Sequence, residues 1–268
     1  MSSPSPGIAM VTGASAGIGA VYAERLARRG HDLILVARDA GRLEAAASQI
    51  RAATGRQVEL LPADLGKSEG IAAVKRRLAE DERITVLVNN AGMAVAGSVL
   101  TADPARLEAM VQLNIVSAMH LAIAAGKAFQ RRGAGTLMNI SSVLALVPEQ
   151  FNGVYSGTKA FLLNLTQSLA AELQGTGVRV QAVLPGATRT ALWASAGLPV
   201  ENLPAEMVME AAEMVDAALA GLDAGELVTI PSLPDAADWA RLEEARMALG
   251  PNLSRNKAAD RFQVSAVA

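Results

Sequence analysis

Several stretches of this chain are apolar at every consecutive residue, as in Leu33-Ile34-Leu35-Val36 and Val86-Leu87-Val88, and they recur between longer segments with helical periodicity. A strand with one wet face alternates apolar and polar residues. A strand without alternation has both faces covered, as in a parallel sheet between two layers of helices. The sequence therefore predicts strands at Ile8–Thr12, Asp32–Ala37, Gln57–Pro62, Thr85–Asn89, Gly135–Ser141, Arg179–Leu184 and Glu226–Ile230. Helices are expected near residues 18–29, 39–54, 67–81, 104–131, 154–174 and 205–222, with Trp193–Pro204 as a loop. Such alternation requires right-handed crossovers and gives a doubly wound, Rossmann-type α/β fold: a parallel sheet of about seven strands with helices on both faces. The 268 residues suit one domain, with a core over about 8–230 and a tail over 231–268. In that tail Asp235–Leu249 reads as an amphipathic helix and the last few residues as frayed.

The first strand runs into Thr12-Gly13-Ala14-Ser15-Ala16-Gly17-Ile18-Gly19 and then into a helix. The order strand, glycine-rich turn, helix is the context that makes a glycine pattern a dinucleotide site. Gly13 can take positive φ in the turn, Gly17 lets a pyrophosphate approach the backbone, and Gly19 lets the helix pack closely on the strand. The helix N-terminus offers free N–H groups and partial positive charge to phosphates. The spacing, G-x-x-x-G-x-G, is one residue off the commoner G-x-G-x-x-G.

A second pattern lies in the later helix. Tyr155 and Lys159 are four residues apart and so share a helical face, and Ser142 lies thirteen residues upstream. A phenol beside an ammonium is an acid/base pair, and the positive charge is expected to lower the tyrosine pKa. Other polar residues fall where strands end: Asp64, Asn89-Asn90-Ala91-Gly92, Ser141 and Ser142, Pro185-Gly186, then Thr188 and Thr190. Open parallel sheets bind ligands at that edge.

Composition removes several alternatives. Net charge is 24 − 26 = −2, without a basic stripe, so neither nucleic acid nor an anionic membrane surface is an expected partner. There is no cysteine and there are two histidines, His31 and His120, so no clustered metal-ligand spacing exists and no metal is expected. The N-terminus lacks a signal-peptide profile and no unbroken apolar run reaches membrane-spanning length, which makes a soluble cytoplasmic protein the expectation.

Together these residues resemble the short-chain dehydrogenase/reductase family in its roughly 250-residue form, over about residues 8–230. The resemblance rests on Thr12–Gly19, Asp64, Asn89–Gly92, Asn114, Ser142, Tyr155 with Lys159, and Pro185-Gly186. It implies that Tyr155 is the general acid in ketone reduction and the base in alcohol oxidation, with Ser142 holding the substrate oxygen. Lys159 would bind the nicotinamide ribose, and Asn114, at a local break in its helix, would hold a water leading to Lys159. For the cofactor it implies Gly13, Ser15, Gly17, Ile18, Gly19, Asp64, Leu65, Asn90, Ala91, Gly92, Tyr155, Lys159, Pro185, Gly186, Thr188 and Thr190. An acidic residue closing the second strand would select NAD(H), but that position is Ala37 and Arg38 follows it, so NADP(H) is expected over NAD(H), with Asp39 as a competing group. Candidate pocket residues are Ala94, Val95, Val143, Leu144, Phe151, Leu192 and Trp193, none of them charged, which suits a mainly apolar ketone or secondary alcohol. A 3-oxoacyl thioester reductase, with Arg131 and Arg132 meeting an acidic carrier, is the rival enzyme. A silent NADPH-binding regulator or scaffold is the rival outside catalysis. The resemblance also implies a homodimer or homotetramer.

Overall fold

The computed structural model describes residues 6–262. The terminal segments, read above as lacking a leader profile and as frayed, fall at residues 1–5 and 263–268, outside the described residues. In chain order the main elements are β1 (Ile8–Thr12), α1 (Gly17–Arg28), β2 (Asp32–Ala37), α2 (Ala40–Thr54), β3 (Val58–Pro62), α3 (Ser68–Glu80) and β4 (Ile84–Asn89). There follow α4 (Pro104–Val111), a π-helical turn (Gln112–Ser117), α5 (Ala118–Arg132), β5 (Gly135–Ile140), α6 (Gly153–Glu172) and β6 (Val178–Val183). The last are β7 (Thr188–Arg189), α7 (Leu192–Ala196), β8 (Met209–Glu210), α8 (Ala211–Asp223), β9 (Val228–Thr229) and α9 (Ala236–Ala248).

Seven strands form one parallel sheet in the order β3-β2-β1-β4-β5-β6-β9. Both faces are covered, as the unbroken apolar runs require. In β1, Ala9 and Val11 face a core shared with Leu26, Leu43, Met214 and Leu219, while Ile8 and Met10 face another shared with Leu78, Leu121, Phe129 and Leu169. Leu33 and Leu35 join the first core, and Ile34 and Val36 the second.

Two stretches differ from their sequence reading, while the helix expected over 104–131 carries its expected local break as a π-helical turn around Asn114. The whole run Pro104–Arg132 is long and apolar enough, by length and composition, to cross a membrane, which a search for unbroken apolar residues misses. Its residues Leu121, Ala125 and Phe129 are buried in the second core. The helix expected from 205 begins only at Ala211, because Met209 donates its N–H to Ala187 O at 2.9 Å and β8 pairs in parallel with β7. The expected loop after Trp193 contains α7 and a short 3-10 turn, Val200–Asn202.

The chain divides into two compact units between Pro231 and Ser232. The second carries α9 where the amphipathic helix was expected. Asp235 caps it by accepting from Ala237 N at 2.9 Å, and none of its residues is buried.

A polar thread crosses the second core. Asn89 Nδ2 donates to Ala118 O at 2.9 Å and to Asn139 Oδ1 at 3.0 Å. Asn139 Nδ2 donates to Thr166 Oγ1 at 3.0 Å, and Thr166 donates to Leu162 O at 2.6 Å. The thread joins β4, β5, α5 and α6 where neither water nor ladder bonds can substitute. Asn139→Ala strips a buried partner from both neighbours, so we expect a loss of roughly 2 kcal/mol. It should appear as a lower urea midpoint with an unchanged slope.

Candidate active site

Strand order reverses between β1 and β4, which opens a crevice at their carboxyl ends. Thr12 closes its floor. Its buried hydroxyl donates to Val88 O at 3.3 Å and accepts from Asn90 N and Ala91 N, both at 2.9 Å. Asn90 Nδ2 returns a bond to Thr12 O at 2.9 Å. The glycine turn is thereby fastened to the segment after β4, and its glycines are required in place. Gly13 and Gly17 sit at φ of 66° and 56°, left-handed values that side chains resist. A Cβ on Gly17 would meet Thr190 Cγ2 at 3.1 Å, which brings Thr190 to the turn. A Cβ on Gly19 would run into Gly13 O and Asn90 Nδ2, so its tight approach is to the turn itself and not to the strand. Ala16 gives α1 no side-chain cap, which leaves first-turn N–H groups for an anion. This cradle fits a dinucleotide pyrophosphate.

At the end of β2, Arg38 is exposed, and among the described residues no hydrogen bond or ion pair engages its guanidinium. Asp39, the competing group, is occupied elsewhere: its Oδ1 caps α2 by accepting from Arg42 N at 3.0 Å. Asp64 Oδ1 accepts from Gly66 N at 3.0 Å, and the Leu65 side chain lies in the second core. Together they shape a turn at the edge, Asp64 through its carboxylate and Leu65 through a side chain anchored in the core.

Asn114 and Lys159 meet beside Gly92, Tyr155 adjoins Lys159 and Ser142, and all four are buried. Asn152 sets the start of α6: its Oδ1 accepts from Val154 N and Tyr155 N, and its Nδ2 donates to Gly97 O at 3.1 Å. Sequence reasoning passed over it, although an Asn just before a helix is the common N-cap signature. Ser141 is also structural, donating to Lys159 O at 2.7 Å. Lys159 Nζ donates to Ile140 O at 2.9 Å and lies 5.7 Å from the Tyr155 ring centroid. The Asn114 side chain is fully engaged: Oδ1 accepts from Met93 N, while Nδ2 donates to Met93 O and to Thr158 Oγ1.

An apolar cluster surrounds Tyr155. Ala94, Val95, Met110 and Ala196 are buried with it, and Leu144, Phe151 and Leu192 pack against them. Phe151 meets Tyr155 edge-on at 5.5 Å and Trp193 at 6.2 Å. Trp193 Nε1 donates to Thr188 O at 2.9 Å, holding α7 to β7. Val143 stands apart from this cluster, its N–H bonded to Pro185 O at 3.0 Å. Thr188 is buried and donates to Gly186 O at 3.1 Å.

The electrostatics correct one expectation. Burial pushes the Tyr155 phenol up to about 12, with Ser142 the only group pulling it down. Lys159 is not among the groups that shift it, and burial separately depresses the Lys159 ammonium to about 8. A lysine whose folded pKa lies below its unfolded value weakens the fold while charged, and the weakening disappears as pH rises through the folded and up to the unfolded pKa. Lys159→Met should therefore be more stable relative to the parent at pH 7 than at high pH. We expect the difference between the two in urea unfolding to shrink by about 3 kcal/mol between roughly pH 8 and 10.5.

The short chain dehydrogenase family model matches residues 7–199. A solved short-chain dehydrogenase from Sphingobium yanoikuyae in complex with NADPH is 49% identical, with a TM-score of 0.92 over 95% of this chain and 98% of that one. The bulky-bulky ketone specific alcohol dehydrogenase from Comamonas testosteroni is 42% identical, with a TM-score of 0.89 over 97% of this chain and 100% of that one. The 17-beta-hydroxysteroid dehydrogenase type 3 of Homo sapiens is 35% identical over 186 residues, 69% of this chain but only 60% of that protein. The matched span contains every strand-end residue described above, and the chain belongs to the short-chain dehydrogenase family.

Proposed function

We propose that this oxidoreductase reduces mainly apolar, bulky ketones with NADP(H), using Tyr155 as general acid. The observation that carries the reading is the phenol itself. It is buried, held protonated with a pKa near 12, adjacent to Ser142 and open to an aromatic and aliphatic cluster. A protonated phenol is the state needed to deliver a proton to a carbonyl oxygen. The reduced nicotinamide, when bound, would supply the hydride. Ser142 Oγ, beside the phenol, would turn from Pro185 O (3.5 Å) to donate to the developing alkoxide, and Lys159 would keep a positive charge near it. The apolar wall of Val95, Met110, Leu144 and Phe151 excludes water from that proton transfer.

Two further observations support the reading. Arg38 is a free guanidinium at the end of β2, suited to a 2′-phosphate, and the NADPH complex of the Sphingobium relative agrees with it. The ketone specificity of the Comamonas relative agrees with the apolar pocket. The carrier-protein alternative loses one of its two arginines. Arg132 donates to Glu82 O and Ile84 O and stacks on Phe129. The presence of Ser142, Tyr155, Lys159 and Asn114 around one point counts against a silent regulator. A homodimer or homotetramer in the cytoplasm belongs to the same proposal.

NADPH oxidation followed at 340 nm against a ketone panel tests it. Tyr155→Phe should lose at least about 100-fold in kcat while NADPH still binds; a parental rate refutes the acid assignment. The reductive kcat/KM should be flat below about pH 8 and fall above it, as Lys159 loses its proton while Tyr155 keeps its own. Arg38→Asp should raise the Kd for NADPH at least about tenfold more than that for NADH, and equal changes would refute the phosphate clamp.

A further inference from the structure

Thr158 is absent from every role assigned so far, yet it lies at a hydrogen-bonded junction between α6 and the π-helical turn that carries Asn114. It lies on α6 between Tyr155 and Lys159 and is almost wholly buried, at 1% exposure. Its hydroxyl donates to Tyr155 O at 2.8 Å and accepts from Asn114 Nδ2 at 3.1 Å. Because the hydroxyl proton goes to the carbonyl, only the lone pairs remain for Asn114. That fixes which end of the Asn114 amide faces α6. The other contacts of the amide follow: Nδ2 also donates to Met93 O at 2.9 Å, and Oδ1 accepts from Met93 N at 2.9 Å.

The chain of bonds therefore runs from the backbone of the general acid, through Thr158 and Asn114, to the loop after β4. That loop carries Gly92, where a Cβ would point at Asn114 Oδ1 (3.2 Å) and Lys159 Nζ (3.7 Å). All its members except the Met93 backbone are buried side chains or belong to α6, so water cannot replace a lost partner cheaply. The π-helical turn is the local geometry that brings Asn114 to this junction.

We propose that the Thr158 hydroxyl is a positioning residue: through Asn114 it sets the spacing between the Tyr155–Lys159 face of α6 and the Gly92–Met93 loop. The role rests on the reductase reading above, since that spacing is the distance between proton donor and cofactor side. It makes no contact with substrate. Its effect on the reaction comes from keeping donor and loop in register, where displacement of reacting groups by about 1 Å can cost about 100-fold.

Thr158→Val preserves shape and removes both bonds; Thr158→Ser preserves both. Two measurements separate positioning from plain stability. Hydrogen exchange at the Met93 amide, in the full chain without cofactor, should be at least about tenfold faster in Thr158→Val and parental in Thr158→Ser. Single-turnover ketone reduction at saturating NADPH should slow by about 10- to 100-fold in Thr158→Val, with a larger primary isotope effect from 4-deuterated NADPH and a smaller change in ketone KM. Thr158→Ser should restore the rate. If Thr158→Val does not fold, Thr158→Cys, with its weak donor, gives intermediate values of both readouts. Parental exchange at Met93, or faster exchange with an unchanged hydride rate, overturns the proposal. Should the parent reduce no ketone while Met93 exchange still responds to Thr158→Val and not to Thr158→Ser, the clamp is supported and the reductase reading is what fails.

Discussion

A sheet buried on both faces leaves its polar groups almost nowhere to go. Along β1, β2 and β4, consecutive residues alternate between two apolar cores, so a charge or a hydroxyl on either face costs free energy unless it finds a partner. Polar side chains are therefore displaced to the strand ends, and at the carboxyl edge the reversal of strand order opens the crevice they line. Thr12, Asn90, Ser141, Ser142 and Thr188 all occupy that edge. Of the polar groups kept inside, Asn89, Asn139 and Thr166 are linked to one another and to backbone carbonyls.

The same constraint shapes the chemistry. A dry pocket raises the phenol and lowers the ammonium, so the resting site holds a proton on Tyr155 and holds one only reluctantly on Lys159. A buried lysine of this kind opposes folding near neutral pH, and perturbed groups of this sort cluster at functional sites. The surrounding hydrogen bonds show how the fold tolerates it: Lys159 Nζ rests on Ile140 O, its own carbonyl receives Ser141 Oγ, and α6 is started by Asn152 and joined to the π-helical turn by Thr158.

Much of this could be read in the residues. Unbroken apolar runs placed the strands within a residue or two, and the glycine turn and the Tyr155–Lys159 spacing named the two parts of the site. What was illegible depended on packing. Nothing local marks residues 205–210 as non-helical, because the reason is the pairing of β8 with β7, whose partner residues lie about twenty positions earlier. The direction of the Tyr155 shift was misread because adjacency to Lys159 is visible in sequence and burial is not. How the Asn114 side chain is held was equally illegible: it is engaged by Met93 and Thr158, which requires three separate segments to meet.

The central claim is that one phenol and one hydroxyl share a substrate oxygen at the mouth of the β1–β4 crevice. A crystal structure of the protein with NADP+ and a secondary alcohol tests it most directly. The account expects the carbinol oxygen within about 2.6–3.2 Å of both Tyr155 Oη and Ser142 Oγ, with the dinucleotide pyrophosphate over the glycine turn. A carbinol oxygen bound away from Tyr155, or a dinucleotide lying outside the crevice, would contradict it.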